Sequence, residues 1–365
     1  MSRRASVAAP LLVLAGLSGL ALACGREDGE AAAPLPAPAS TGVGGDADAS
    51  TDAPSTDAPS TAVGDAGAGD ARPVGPVGCL SVVAAGHRTF PCSGITYDVE
   101  IPAPCAGGGC GVIVDVHGLT MSGDLEEKST GLRAKAGARG FVVVQPTAAS
   151  GLLGPSWAPG TDDAKVWAFL GDLRKALAID AKRVHFTGFS QGGAMTWRMI
   201  CAHADELASA APVAAADGAA LSGSFPPFAL DCPFDARGKP AVEIPVLQMH
   251  GTRDGLVPFA KGVQQRDAVI AAWSLTRTTL VSTDGSHERT RYVSATGTTY
   301  EFLQHDWDVV PPLLPLLLRG HCIPGGQDQP GTGAPGQNLF FSCKPPNSVI
   351  WGDVVLQFFV DHPRP

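Results

Sequence analysis

At 365 residues with a formal charge of −9, the chain is long enough for a large core and too acidic to recommend a nucleic acid as partner. Loss of Arg3 and Arg4 with a leader takes the charge to about −11, which favours solubility and specifies little else. Nine cysteines without any paired C-x-x-C or Cys/His spacing of the zinc type argue for disulfides in an oxidising compartment and against a metal.

Residues 1–24 read as an export signal: two arginines, an apolar run over 11–22 that is short for a membrane span, and a small-residue end at Ala23-Cys24. Ala21-Leu22-Ala23-Cys24 resembles a bacterial lipoprotein box, with its leucine one place nearer the cysteine than usual. That resemblance implies a lipid on Cys24, an outer-membrane or cell-surface location, and contact with a membrane only through the lipid; ordinary cleavage after Ala23 is the alternative. Residues 25–77 are Ala, Pro, Ser, Thr, Gly and Asp with a repeated STDAP. So little apolar surface cannot offset the entropy of ordering, and a disordered acidic tether is expected.

Residues 78–365 then form one catalytic-sized body with a single core. With Cys24 set apart eight cysteines remain, and pairing of sequence neighbours is expected: Cys79 with Cys92, Cys105 with Cys110, Cys201 with Cys232, Cys322 with Cys343. Strands are predicted over 96–101, 111–116 and 141–145, with a helix over 124–138 between the last two. Thr161 or Asp162 can cap a helix whose Val166, Phe169, Leu170, Leu173 and Leu177 recur at helical spacing. Further strands are predicted at 209–213 and 246–250, a helix over 263–273, a hairpin from 289–293 and 299–304 across Gly297, and a closing helix over 349–360. Repeated β-α alternation predicts an α/β fold, a mostly parallel sheet with helices on both faces and functional loops at the carboxyl ends of its strands.

Between a β-rich run and a helical pattern lies Gly188-Phe189-Ser190-Gln191-Gly192-Gly193. This is the strand, sharp turn and helix of a G-x-S-x-G nucleophile elbow, which makes Ser190 the candidate nucleophile. A serine attacking a carbonyl needs a base within reach, an acid to orient that base, and donors for the oxyanion. Asp254, in His250-Gly251-Thr252-Arg253-Asp254, follows a strand and supplies the acid. His321, in a Gly-rich loop, supplies a base, and the order Ser, Asp, His is that of the α/β-hydrolases. His305 and His287 are rival bases and Asp284 a rival acid. Gln191 N–H and Leu119 N–H, the latter in His117-Gly118-Leu119 after a strand, are the candidate oxyanion donors, with His117 read as a structural loop residue. Trp157 and Trp307 are candidate substrate-stacking residues, each with packing as the alternative. Asp162 and Asp163 read as stabilisers of a loop or helix start. The Pro/Leu-rich run 311–318 is either a cleft wall or lid, or a surface loop.

GFSQGGAMTWRMICAHADELASAAPVA, MHGTRDGLVPF and GHCIPGG, with DVHGLTMSG and WAPGTDDAKVWAFLGDLRKALAIDAKRVHFTG, resemble the polyhydroxybutyrate depolymerase and feruloyl esterase group of secreted α/β-hydrolases, related to carbohydrate esterase family one. The resemblance runs over about 96–363. It implies an α/β-hydrolase fold, a serine ester hydrolase with no cofactor, and an ester substrate that is either an aliphatic polyester or an acylated polysaccharide. It maps the family's serine, aspartate and histidine onto Ser190, Asp254 and His321, favouring His321 over His305, and it fits the Cys201–Cys232 pairing. A monomer is expected. A serine peptidase on the same fold and a non-catalytic surface binding protein are the alternatives.

Overall fold

Six consecutive strands of the central sheet are parallel, and several read as unbroken apolar runs because both of their faces are covered. The computed structural model describes residues 75–151, 154–217, 232–309, 319–326, 341–344 and 346–365. The leader, Cys24, nearly all of the tether and the 311–318 run lie outside them. In chain order the strands are β1 (Gly86–Cys92), β2 (Ile95–Ile101), β3 (Gly111–Val116), β4 (Phe141–Thr147), the small pair β5 (Ser150–Gly151) and β6 (Gly154–Pro155), β7 (Val184–Phe189), β8 (Ser209–Val213), β9 (Val246–Gly251), β10 (Thr276–Thr283), β11 (His287–Val293) and β12 (Thr299–His305). The α-helices are α1 (Gly123–Thr130), α2 (Leu132–Ala136), α3 (Thr161–Ala176), α4 (Gln191–His203), α5 (Phe259–Ala272) and α6 (Trp351–Asp361).

The sheet order is β1-β2-β4-β3-β7-β8-β9-β12-β11-β10. Strands β4, β3, β7, β8, β9 and β12 are mutually parallel, and antiparallel strands extend both ends. Every residue of β3 (GVIVDV), β7 (VHFTGF) and β9 (VLQMHG) is buried, the pattern of strands sandwiched between helices. Alternation divides the apolar side chains between two cores. Val112, Val114, Val116 and Phe186 pack on one face with Met195 and Trp197 of α4. Ile113, Val143, Leu247 and Met249 pack on the other with Trp351, Phe358 and Phe359 of α6.

After β3 the chain moves to β4 on one side, and β7 returns to pair on the other. Loops leaving the carboxyl ends of β3 and β7 therefore diverge, which opens a crevice at the switch point of the sheet. His117-Gly118-Leu119 and Ser190 lie there.

Three expectations are corrected. The helix predicted over 124–138 is broken into α1 and α2 by Gly131, whose left-handed φ of 65° ends α1. The turn lets Thr130 and Leu132 both face inward. Neither Thr161 nor Asp162 caps α3; Gly160 is the N-cap residue, and its N–H donates to the Asp163 carboxylate at 2.9 Å. Strands β1 and β10 add to the two edges of the sheet where none was predicted.

The four neighbouring cysteine pairs are joined, with Cα–Cα distances of 6.0, 5.3, 5.5 and 5.0 Å for Cys79–Cys92, Cys105–Cys110, Cys201–Cys232 and Cys322–Cys343. Among the described residues no helix is long and apolar enough to cross a membrane.

Candidate active site

Ser190 stands between β7 and α4 with φ 53° and ψ −111°, a backbone conformation that a side-chain-bearing residue adopts only when its surroundings impose it. Its N–H is held by Val213 O at 2.8 Å. The flanking glycines are required by contact: a Cβ on Gly192 would overlap Val116 O, and one on Gly188 would stand 2.7 Å from Gly192 O. The serine itself is partly exposed.

The acid and the histidine come from two other strand ends. Asp254 follows β9, and His321 lies beyond β12 in the Gly320–His321 turn. Nδ1 of His321 is 2.7 Å from Asp254 Oδ2, and both side chains are fully buried. The other carboxylate oxygen, Oδ1, accepts the N–H groups of Leu256 and Val257 at 2.9 and 2.8 Å, so the acid cannot swing away. Gly320 (φ 72°) lets the two loops touch, because a Cβ there would stand 2.5 Å from Asp254 N. The His321 ring packs 4.8 Å from Phe189, the residue before Ser190, and its Nε2 is buried without a hydrogen-bond partner among the described residues. The disulfide Cys322–Cys343 and the bond from Ile323 N–H to Phe341 O at 2.7 Å hold this turn from behind.

The loop after β3 completes the group. A Cβ on Gly118 would stand 3.3 Å from Ser190 Cβ, so the loop abuts the serine. Thr120 N–H donates to Pro155 O at 2.9 Å and Met121 N–H to Gly118 O at 3.2 Å, whereas Leu119 N–H makes no hydrogen bond among the described residues. Gln191 N–H is in the first turn of α4, where helix geometry provides no intrahelical acceptor and the dipole favours negative charge. The Gln191 side chain is locked, accepting Trp157 N–H at 2.9 Å and donating to Trp157 O at 3.2 Å.

His117 does more than fill the loop. Its Nε2 accepts Ala148 N–H at 3.1 Å, which leaves the proton on Nδ1, and Nδ1 donates to Gly118 O at 2.6 Å. In a trans peptide the C=O and the following N–H point in opposite directions. Fixing Gly118 O therefore fixes Leu119 N–H. Burial lowers the His117 pKa to about 4, so the ring stays neutral.

The remaining candidates fall elsewhere. His305 is buried, stacks on Trp307 with centroids 5.2 Å apart, and is lowered to about 3 by burial. Asp284 and His287 pair with each other at 2.9 Å, and the ring's other nitrogen meets Ser282 Oγ at 2.9 Å; they stitch the β10–β11 turn. Trp157 is 2 % exposed and donates its indole N–H to His117 O at 2.9 Å; Trp307 is 7 % exposed. Rings so covered present no face for a substrate to stack on, and both serve packing. Asp163 holds Arg198 of α4 through two bonds of 2.5 and 2.8 Å, and Asp162 accepts Ala158 N–H at 2.8 Å. His250 was not singled out in the sequence, yet its Nε2 lies 3.5 Å from Asp254 Oδ2 and donates to Val257 O at 2.9 Å. Its place four residues before the acid was the available signal.

Residues 164–304 match the model of a family described as phospholipase/carboxylesterase. The matched segment carries GFSQGG and HGTRDG, so the resemblance drawn from those motifs holds; His321 lies beyond it. The chain is 26% identical over 150 residues to a bifunctional acetylxylan esterase/xylanase of Neocallimastix patriciarum (40% of this chain, 20% of that protein). It is 28% identical over 182 residues to feruloyl esterase B of Piromyces equi (48% and 30%) and 30% identical over 169 residues to feruloyl esterase D of Neurospora crassa (46% and 48%). The match thus spans less than half the length of each of these relatives. Among solved structures, an acetyl xylan esterase from Aspergillus awamori aligns with a TM-score of 0.48 at 12% identity, over 60% of this chain and 93% of that one.

Proposed function

We propose that this chain, an α/β-hydrolase of the esterase group, is an exported serine carboxylic ester hydrolase that works through an acyl-enzyme intermediate. The observation that carries the reading is the buried 2.7 Å bond between His321 and Asp254, set against Phe189 beside a serine at φ 53°. In this mechanism Ser190 Oγ attacks the ester carbonyl and passes its proton to His321 Nε2, the ring nitrogen left unpartnered among the described residues. Asp254 holds the Nδ1–H tautomer and stabilises the imidazolium. Leu119 and Gln191 N–H receive the oxyanion, His321 returns the proton to the leaving alcohol, and water then repeats the sequence on the acyl-enzyme.

For the substrate, likeness to acetylxylan and feruloyl esterases supports acetyl or feruloyl groups on plant polysaccharide over an aliphatic polyester. Four disulfides support an oxidising location. Cleavage and lipid attachment at Cys24, the tether over 25–77 and a monomeric catalytic body over 78–365 belong to the same proposal.

The test is hydrolysis of acetylated xylan, methyl ferulate and short polyhydroxybutyrate oligomers by the mature protein under identical conditions. Turnover of either of the first two in preference to the oligomers is expected. Preference for the oligomers would move the substrate to the polyesters, and amide hydrolysis with no faster ester hydrolysis would replace the esterase by a peptidase.

A further inference from the structure

Beneath the loop that carries Leu119 lie two carboxyl groups that no cation bonds among the described residues. Asp115 is in β3, two residues before His117, and Glu126 is in α1, four residues after Ser122; each is 1 % exposed. Asp115 Oδ2 accepts Thr130 Oγ–H at 2.8 Å and Gln145 Nε2–H at 2.7 Å. Among the described residues neither its buried Oδ1 nor the buried Oε2 of Glu126 meets a donor, and the Asp115 carboxylate stands close enough to Glu126 to oppose its ionisation. Two ionised carboxylates cannot stand in contact in so dry a place, but a carboxylic acid and a carboxylate can, joined by one proton.

We infer that Asp115 and Glu126 share a single buried proton, and that this proton clasps the two ends of the oxyanion loop together and positions Leu119 N–H. The inference rests on the esterase reading of the site. The loop leaves β3 immediately after Asp115-Val116 and enters α1 at Ser122, whose Oγ accepts Leu125 N–H at 3.3 Å and whose C=O accepts Glu126 N–H at 2.9 Å. Glu126 is thereby tied to one end of the loop and Asp115 to the other. Loss of the proton would set two like charges against each other at the loop's base.

The surroundings favour the protonated pair. Burial, and then Asp115, hold the Glu126 carboxyl well above the usual carboxylate range, and burial raises Asp115 to about 6. The facing charges are Glu127 of α1, which opposes ionisation of both, and Arg133 of α2, which favours that of Asp115 and is itself engaged by Gln145 and Asp124. Of the other elements packed on α1, β4 faces the pair with the neutral Gln145, β2 carries Asp98 and Glu100, both paired with His87, and α6 carries Asp353, paired with Lys135.

The experiment compares the wild type with Glu126→Gln, which replaces the shared proton by a permanent N–H, in the pH profile of kcat and in the pH dependence of the urea midpoint. Asp115→Asn serves as a second variant should the first fail to fold. Both carboxyls have folded pKa values above their unfolded ones, so their contribution is complete below about pH 4 and is lost as pH rises through about 6 and beyond. In the wild type kcat should fall on the alkaline side by about 10²-fold, the cost of one misplaced oxyanion donor, with KM little changed. In Glu126→Gln that limb should vanish and the stability slope should flatten. Identical alkaline limbs in the two proteins would overturn the positioning role, and identical stability slopes the shared proton. Absence of ester hydrolysis at every pH would instead overturn the esterase reading, with the stability slopes still deciding the proton.

Discussion

The histidines near the site differ in where their rings lie. His321 is bonded to Asp254 at 2.7 Å and packs on Phe189, the residue before Ser190; His117 has both nitrogens engaged, His250 donates to Val257 O, and His305, whose Nδ1 is also unpartnered among the described residues, is stacked on a tryptophan. His321→Ala should therefore lower kcat by roughly 10⁴-fold or more, whereas His305→Ala should act mainly on the urea midpoint and cost less than about tenfold in kcat. The reverse order in a steady-state assay would reassign the base. His117→Ala should lower kcat by about 10–10²-fold with KM nearly unchanged, because it leaves Gly118 O held only by Met121 N–H at 3.2 Å and so loosens the proposed oxyanion donor, Leu119 N–H. A rise in KM alone would show that the loop serves binding. The proposed nucleophile and acid, Ser190 and Asp254, could be picked out in the sequence because glycine spacing and strand-end position mark them. Choosing His321 over His305 needed the family resemblance, since the turn that carries His321 is set by contacts with Asp254 and Phe341 that spacing does not encode. The orientation of the Gly118–Leu119 peptide was not legible at all: it depends on the His117 ring, which is set by Ala148, thirty-one residues away.

At the scale of elements, the apolar runs that became β3, β7, β8 and β9 were readable because burial on both faces leaves a continuous signal. Strand β1 was not, because Pro91 and alternate exposed residues disguise it, both permitted at a sheet edge. Strand β10, TRTTLVST, lies at the opposite edge and carries register shifts against β11; its polarity is that of an edge, which sequence alone reads as loop. The turn after β12 depends on a covalent link. Replacing Cys322 and Cys343 together by serine should destabilise the protein by about 2–4 kcal/mol and lower kcat as well, since Ile323 and Phe341 brace His321. Replacing Cys79 and Cys92 should affect the midpoint alone. Equal loss of kcat from both pairs, measured well below the melting temperature, would show that the link beside His321 has no special part in the site.

For the molecule as a whole, the two cores are fixed by β-α alternation, and the crevice between diverging loops follows from a strand order that no local pattern states. Burial also sets the response to acid. His117, His185 and His305 are lowered to about 4, 3 and 3 by burial. These folded values lie below the unfolded one, so the unfolded chain takes up protons first. Their contribution is complete above about pH 6.5 and is lost as pH falls toward 4 and then 3. Because Asp115 and Glu126 slope the opposite way over the same range, the reading is made in Glu126→Gln: its urea midpoint should fall steeply below about pH 6, and a midpoint level from pH 7 to 4 in that variant would mean that these rings are not held neutral.

The claim on which the rest depends is that Ser190 becomes acylated. Rapid acid quenching of the mature protein during turnover of an activated ester, followed by peptide mass analysis, reads this directly. One acyl adduct is expected on the peptide bearing Ser190, absent in Ser190→Ala together with turnover. An adduct on another residue, or undiminished turnover in Ser190→Ala, would contradict it.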